Sequence, residues 1–352
     1  MKLDDFHFDL PPDRIAQEPA SIRDQSRLMV LHRKTKVIEH RRFCDLPEYF
    51  RSGDALVVND TKVLPVRLLG KKESGGQVEI LLVSKISAGE KDDGLEEWQC
   101  LAQSNRPLRP NTRLFFAEGI SGELVETSSP GLWRFRLWGG DGHSDRLARI
   151  GYAPLPPYIH RNGDEQRRML DLERYQTVYA RSEGAIAAPT AGLHFTPALL
   201  DRLQAMGVGL YSLTLHVGIG TFRPVKAEEI EGHRLEAEYF EIPPATAQGI
   251  NQRRSLGHRI FAVGTTVTRA LETQVDDHGM IRPGRGQTEL FIYPGHRFRA
   301  IDALVTNFHL PRSTLLMLVC AFAGREWILA CYQEAIREGY RFYSYGDAML
   351  IL

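Results

Sequence analysis

Apolar residues occur in short, strand-length runs through the first 140 residues of the chain. LMVL and VIEH flank a polar RKTK turn and predict a hairpin, and DALVVN predicts a buried strand. Between Gly70 and Trp138, runs such as QVEILLV and LWRFRLW are separated by Gly, Pro, Ser and Asn. This spacing is typical of a small β-barrel or sandwich.

The pattern changes to alternating strands and helices after a short helix that ends at Gly151 and the stiff segment APLPP. LERYQTVYARSEG predicts a helix, and a further helix is expected from the N-cap Thr196 through Pro197 to Gly207. RIFAV and DALVTN predict strands that lead through polar loops into helices. We therefore expect an α/β main domain, residues 1–61 and 150–352, interrupted by an inserted all-β, barrel-like domain, residues 62–149.

Five loops rich in Gly, Thr and His follow the predicted strands: APTAGLHFT, LHVGIGTFRPV, VGTTVTR, TNFHLPRST and SYGDAM. Ligands of open α/β sheets bind at the carboxyl ends of the strands, so these loops predict one shared pocket. Small residues there let a ligand approach the backbone closely. GIGTF lacks the rest of the dinucleotide fingerprint, and the chain has no Walker A motif.

Composition narrows the choice of function. The 44 basic residues balance 44 acidic ones, which excludes a uniformly basic nucleic-acid-binding coat but not one basic face. The four cysteines form no CxxC pair, the amino terminus does not resemble a signal peptide, and LLMLVCAFAG is too short to span a bilayer, so we expect a cytoplasmic protein with reduced thiols.

The histidines stand apart with no HxH or HxxxH pair, so no metal site is expected. Taken alone, these observations indicate an α/β enzyme of unspecified reaction. Two other functions stay open: a metal-dependent hydrolase that uses the scattered histidines, and a non-catalytic RNA-binding protein that uses the β domain as a platform.

Longer sequence blocks give more specific information about the function. LVVNDTKVLPVRLLG, PLPPYI, YQTVYA, GAIAAPTAGLHFT, TLHVGIGTFRPV, VGTTVTRALE, TNFHLPRSTLLMLV and YRFYSYGDAMLI occur in this order. They closely resemble the S-adenosylmethionine:tRNA ribosyltransferase-isomerases of queuosine biosynthesis over essentially the whole chain. One block departs from the family: HRLEAEY carries Glu236 where the family usually has a second histidine after the equivalent of His233.

The resemblance implies transfer of the ribosyl unit of S-adenosylmethionine to 7-aminomethyl-7-deazaguanine at the wobble position of tRNA. Isomerisation of that unit gives epoxyqueuosine, and adenine and methionine are released. In such a reaction the sulfonium acidifies C5′, a base removes its proton, and an acid helps adenine to leave. The implied partners are tRNA and S-adenosylmethionine, with no cofactor, no metal and no membrane, and we expect a monomer.

His194 and His309 are the acid/base candidates, and Asp347 is a candidate acceptor for a ribose hydroxyl or the target base. Other pocket candidates are taken from the strand-end loops, from the NDTK segment and from arginines that follow the loops. They are Asp60, Lys62, Arg67, Thr190, Gly192, Gly218, Gly220, Thr221, Arg223, Thr265, Thr266, Arg269, Asn307 and Arg312. Basic clusters in HRRF, QRRML, NQRRSLGHR and HRFR are candidates for contact with tRNA phosphates.

Overall fold

The computed structural model describes residues 1–88, 95–129, 131–139, 143–161, 165–218 and 229–352. The chain divides into two compact units. The first contains residues 1–62, 156–160 and 174–352, and the second contains residues 63–155 and 161–173. Residues 161–173 thus lie with the barrel unit, whereas the sequence had suggested the α/β domain for them. The bounds of the two folding domains stay a prediction.

A mixed nine-stranded sheet forms the centre of the first unit. Its order is β15-β13-β12-β3-β14-β16-β17-β1-β2. β12, β3, β14 and β16 are mutually parallel, whereas β17 runs antiparallel to β16 and parallel to β1. The bounds are β1 Arg27–Leu31, β2 Ile38–Arg42, β3 Ala55–Asn59, β12 Gly209–Leu215, β13 Glu238–Ile242, β14 Ile260–Val263, β15 Gly284–Thr288, β16 Ala303–Asn307 and β17 Ala348–Ile351. A two-stranded sheet pairs β4 Thr61–Val63 with β11 Ser182–Ala185.

Helices cover both faces of this sheet. Alternate residues of the buried strands point to opposite faces, so Ile260 and Ala262 join one apolar cluster and Phe261 and Val263 join the other. Helices α4, α5, α6 and α7 pack on the first cluster, and α3 packs on the second. Their bounds are α3 Pro197–Ala205, α4 Pro244–Ser255, α5 Thr265–Gln274, α6 Thr314–Ala323 and α7 Arg325–Arg337.

The second unit is a closed six-stranded antiparallel barrel in the order β10-β7-β6-β5-β8-β9. Its interior holds Ile80, Leu114, Leu124 and Phe135. The strands are β5 Arg67–Lys72, β6 Gln77–Ala88, β7 Leu95–Ser104, β8 Thr112–Phe115, β9 Ser121–Ser129 and β10 Leu132–Trp138, and the helices that follow in sequence are α1 His143–Ile150 and α2 Glu165–Arg174. The predicted fold class, an α/β domain with a barrel-like insertion, is confirmed.

Most local predictions are confirmed as well. β1 and β2 form the predicted hairpin, and the Thr196 hydroxyl caps α3 by accepting a hydrogen bond of 3.2 Å from the Leu199 amide. The helix predicted over LERYQTVYARSEG is wrong beyond Arg174, where α2 ends. Tyr175 turns its ring into the core, and Ser182–Ala185 pair with β4 as a strand. β-Branched Thr177 and Val178 weaken helix formation in this stretch.

Candidate functional site

The parallel strands bring their carboxyl ends to one edge of the sheet. There β14 continues into Gly264 and Thr265, and β16 ends at Asn307. Because β17 runs antiparallel to β16, the loop before Ala348 reaches the same edge. A cavity opens there, with about 580 Å³ of space that no atom fills and that is partly open to solvent. Its walls are Tyr158, Tyr175, Ala187, Ala188, Pro189, Thr190, Ala191, Val217, Gly264, Thr265, Thr266, Thr306, Asn307, Phe308, His309, Leu315, Tyr343 and Ser344.

The start of α5 forms one wall. Gly264 has φ +90°, a left-handed backbone that favours glycine, and its amide donates to the Val305 carbonyl at 2.7 Å. The turn presents Thr265 and Thr266 at the amino end of the helix. The side-chain amide of Asn59 holds Thr266 in place by donating to its hydroxyl at 3.4 Å. The same amide donates to the Leu215 carbonyl at 2.9 Å.

Tyrosine rings form the opposite wall. Tyr158 packs edge-on against Tyr343 with ring centroids 3.9 Å apart, and its hydroxyl contacts that of Ser344. Tyr343 has φ +77°, which is rare for a bulky residue and carries backbone strain. Hydrogen bonds hold it there: its amide donates to the Phe308 carbonyl at 3.0 Å, and its carbonyl accepts from the Gly346 amide at 3.0 Å.

His309 is the histidine that lines the cavity. Its Nε2 lies 2.9 Å from the Thr306 hydroxyl, and its amide donates to the Tyr332 hydroxyl at 3.1 Å. Burial lowers the pKa of His309 to about 3, so its imidazole is neutral at physiological pH. Together with Thr190, Thr265, Thr266 and Asn307, it is a predicted site residue that the fold brings to the cavity.

His194 lies elsewhere. Its ring stacks on Phe43 with centroids 5.0 Å apart, and its two nitrogens contact Ser26 and Asn307. It borders a smaller cavity together with Arg23 and Ser26. Burial, and then the charges of Arg341 and Arg23, lower the pKa of His194 to about 3. A direct acid/base role for His194 is therefore not supported by its position.

Asp347, Asp60 and Lys62 also lie outside the lining of the larger cavity. The Asp347 carboxylate accepts backbone N–H bonds from Arg27 at 3.0 Å and Arg341 at 2.8 Å, which ties the starts of β1 and β17 together. Asp60 accepts from the Thr214 hydroxyl at 2.7 Å and pairs with Arg181 at 2.6 Å. Lys62 pairs with Glu183 at 2.9 Å.

Three predicted arginines make structural contacts. Arg67 belongs to the barrel unit and binds Glu79 through two N–H groups at 2.8 and 2.7 Å. Arg312 pairs with Asp4 at 3.0 Å. Arg269 is buried, pairs with Glu238 and donates to the Leu290 carbonyl at 2.8 Å.

A neighbouring cavity contains further predicted positions. Gly218, Glu236, Glu238 and Arg269 line it, and its wall shares Leu315 with the larger cavity. The Gly218 amide donates to the Glu238 carboxylate at 3.0 Å. The segment that departs from the family pattern thus lies beside the main cavity. Gly220, Thr221 and Arg223 fall outside the described residues.

Gly192 supports the site without lining it. A Cβ at Gly192 would overlap the Tyr179 hydroxyl, so glycine is required for close packing. Among the cavity residues that the sequence analysis missed are the tyrosines 158, 175 and 343. They lie in PLPPYI, YQTVYA and YRFYSYGDAMLI, the blocks quoted for the family resemblance, so a search restricted to polar strand-end loops overlooked them.

Two of the basic clusters largely bind the protein itself. In NQRRSLGHR, Arg253 donates to the Gly53 carbonyl at 2.7 Å and Arg254 to the Ala300 carbonyl at 2.5 Å, while Arg259 pairs with Asp54 at 2.6 Å. In HRFR, Arg299 pairs with Asp277 at 2.9 Å. These contacts account for four arginines of the two clusters, and contact of the clusters with tRNA stays a prediction.

Among the residues that the structure describes, no group of three or more His, Cys, Asp or Glu could hold a metal ion. There, too, no single helix is long and apolar enough to cross a membrane; the bent pair α6 and α7, at 114°, meets the criteria of length and composition only when taken together.

Comparison with known proteins agrees with the fold. The sequence model of the queuosine biosynthesis protein family matches residues 3–351. S-adenosylmethionine:tRNA ribosyltransferase-isomerase of Symbiobacterium thermophilum is 51% identical over 354 residues, covering 100% of both chains, and that of Geobacter metallireducens is 49% identical over 352 residues with the same coverage.

A solved structure is similar over the same length. The crystal structure of S-adenosylmethionine tRNA ribosyltransferase from Thermotoga maritima superposes with a TM-score of 0.55 at 38% identity, covering 99% of this chain and 100% of that one. With a family match over nearly every residue and relatives that are about half identical from end to end, this chain belongs to the queuosine biosynthesis protein family.

Proposed function

We propose that this protein is an S-adenosylmethionine:tRNA ribosyltransferase-isomerase. It transfers the ribosyl unit of S-adenosylmethionine to 7-aminomethyl-7-deazaguanine in tRNA, isomerises it to the epoxycyclopentane of epoxyqueuosine, and releases adenine and methionine. The observation that carries the proposal is the end-to-end identity with relatives of that name, together with a cavity at the carboxyl ends of the parallel strands.

The chemistry of the cavity suits a sulfonium substrate. Among the described lining residues there is no carboxylate, and the walls offer aromatic rings, hydroxyls and an amide. Ring faces attract a cation without neutralising it, so a sulfonium held by Tyr158 and Tyr343 would keep the charge that acidifies C5′. A carboxylate beside the sulfur would weaken that effect.

His309 is the side chain that we assign to proton transfer. It is the histidine on the cavity wall, and its imidazole has a nitrogen lone pair that can accept a proton from C5′. The Thr306 hydroxyl, 2.9 Å from Nε2, orients the ring. The scheme calls for no redox cofactor, because adenine and methionine leave and no external oxidant or reductant enters, and it uses no metal-dependent step.

Incubation with S-adenosylmethionine and tRNA that carries the precursor base tests the proposal. Adenine should appear in a 1:1 ratio with modified tRNA, and exhaustive chelation should leave the rate unchanged. Tight tRNA binding without adenine release would instead favour the non-catalytic RNA-binding function. Activity lost on chelation and restored by one metal would contradict the metal-free scheme.

A further inference from the structure

The amide of Asn307 has a carbonyl oxygen with no hydrogen-bond partner among the described residues. Asn307 lines the main cavity, and only 2% of the residue is exposed. Buried polar groups in folded proteins are nearly always paired, so an unpaired acceptor on a cavity wall points to a donor that arrives with the ligand.

The orientation of this amide follows from its neighbours. The Asn307 Nδ2 group donates to the Tyr343 carbonyl at 3.1 Å, a position that only the nitrogen can occupy because a carbonyl oxygen offers no hydrogen. Its second hydrogen points to His194 Nε2, 3.2 Å away. Both hydrogens are thereby used, and Oδ1 is the remaining polar atom.

The same contacts determine the tautomer of His194. Since Nε2 accepts from Asn307, the imidazole hydrogen must be on Nδ1, which lies 2.7 Å from the Ser26 hydroxyl. The Phe43 ring stacks on the imidazole and holds its plane. Ser26 and His194 thus hold the Asn307 amide from behind the cavity wall.

We propose that Asn307 Oδ1 is a specificity-determining acceptor for a neutral donor on the bound nucleoside, and that His194 is a positioning residue that acts through Asn307. The donor is either the exocyclic amine of the purine or a ribose hydroxyl. The inference rests on the proposed function, because it takes the cavity to be the site of the nucleoside part of S-adenosylmethionine.

Binding of neutral nucleosides tests this directly. The probes are 5′-methylthioadenosine, 5′-methylthioinosine, in which an oxygen replaces the exocyclic amine, and the 2′-deoxy and 3′-deoxy forms of methylthioadenosine. Dissociation constants are measured by calorimetry on the full-length protein and on Asn307→Ala, with circular dichroism to verify folding.

In the wild type, one analogue should bind roughly 10- to 100-fold more weakly than methylthioadenosine, because it leaves the buried acceptor unpaired. In Asn307→Ala, the dissociation constants of that analogue and of methylthioadenosine should differ by less than about twofold. Weaker binding of methylthioinosine identifies the exocyclic amine as the donor, and weaker binding of a deoxy form identifies a ribose hydroxyl.

If each analogue loses the same affinity in the wild type and in Asn307→Ala, the role of Asn307 is overturned while the nucleoside site is left intact. No binding of any nucleoside to the wild type would overturn the nucleoside site of the proposed function, and this inference with it.

Two His194 variants test the positioning role. The amide oxygen of His194→Gln can accept from Asn307 as Nε2 does, whereas His194→Leu offers no acceptor. His194→Gln should keep the wild-type discrimination between the probes, and His194→Leu should lose most of it. Equal discrimination in the two variants would contradict the positioning role, whatever their effect on stability.

Discussion

Tyr343 meets Tyr158 edge-on at 3.9 Å while its backbone is held at φ +77°. The strained backbone is secured by hydrogen bonds from neighbouring loops, so the position of this ring is determined by the sheet edge and not by its own preference. Strain that the surrounding structure maintains is characteristic of ligand sites.

Removing the Tyr343 ring should weaken the binding of a charged ligand more than the binding of a neutral one. We expect Tyr343→Leu to weaken binding of S-adenosylmethionine more than binding of the uncharged S-adenosylhomocysteine, by about 3- to 30-fold, the range of a cation–π contact. Calorimetric titration of both ligands measures the difference. Tyr343→Phe keeps the ring and is the matched control. Equal losses for the two ligands would show that the ring contributes shape and not charge stabilisation.

His309→Gln should reduce single-turnover adenine release by about 10²- to 10⁴-fold, the usual contribution of one acid/base group. Binding of S-adenosylmethionine should change only a few-fold, since glutamine keeps a polar side chain beside Thr306. The control is His278→Gln on the exposed surface. Turnover within a few-fold of the wild type would assign proton transfer to another group.

The free energy of unfolding should fall as the pH is lowered, because His194 and His309 are buried and have lowered pKa values. Their folded-state pKa of about 3 lies below the ordinary 6.5, so the unfolded chain binds more protons between these values. Stability is therefore full above about pH 6.5 and falls as the pH drops toward 3. The slope is about 1 kcal/mol per pH unit for each histidine near pH 5.

Urea unfolding at pH 7.5, 6.5, 5.5 and 5.0 measures this slope. Replacing either His194 or His309 by Gln should reduce the steepness near pH 5 by about 1 kcal/mol per pH unit. An unchanged slope in both single variants would mean that carboxylates dominate the acid sensitivity.

Asp347→Ala should act on folding and not on the reaction. The change leaves two partly buried backbone N–H groups, of Arg27 and Arg341, without this acceptor, at a cost of about 1–3 kcal/mol in the free energy of unfolding. Asp347→Asn keeps one acceptor and should cost less. Adenine release per folded molecule, measured beside thermal melts, should stay near the wild-type value. A variant that is stable but inactive would contradict this prediction and indicate that Asp347 binds a ligand.

Gly122→Ala should destabilise the barrel. The added Cβ would overlap the Phe135 ring and lie 2.7 Å from the Arg136 carbonyl oxygen. The backbone that carries this oxygen cannot easily move away. Overpacking of this kind costs about 1–3 kcal/mol. Gly76→Ala in the same barrel meets only the flexible Lys72 side chain, at 3.4 Å, and serves as the control. Denaturant midpoints compare the two variants, and equal midpoints would contradict the packing argument.

Sequence patterns predicted which loops share the site, because the strand that precedes each loop is visible in the pattern. GTT after RIFAV and NFH after DALVT both reach the cavity. Residue type did not reveal which way each side chain points. His194 and His309 both lie in loops with the same composition, yet one faces Ser26 behind the wall and the other faces the cavity.

Sequence patterns also fail to predict which carboxylates bind a ligand. Asp347 looks like a ligand group in the sequence, but its carboxylate accepts from the backbone amides of Arg341, six residues away, and of Arg27, 320 residues away. The second contact is one that no local pattern displays. The tyrosines were missed for the opposite reason: aromatic residues in apolar surroundings are most often core residues, and their role at the cavity depends on the packing of several separate segments.

The strand order has a consequence for how the protein is made. β17, the last strand in sequence, lies between β16 and β1, so the first strand pairs with residues nearly a full chain length away. On the ribosome, the β1–β2 hairpin must wait roughly tens of seconds for its neighbour at ordinary rates of synthesis. The loop that carries Tyr343 arrives just before that neighbour. A nascent chain therefore cannot complete its cavity until the segment that carries Tyr343 and β17 has been synthesised.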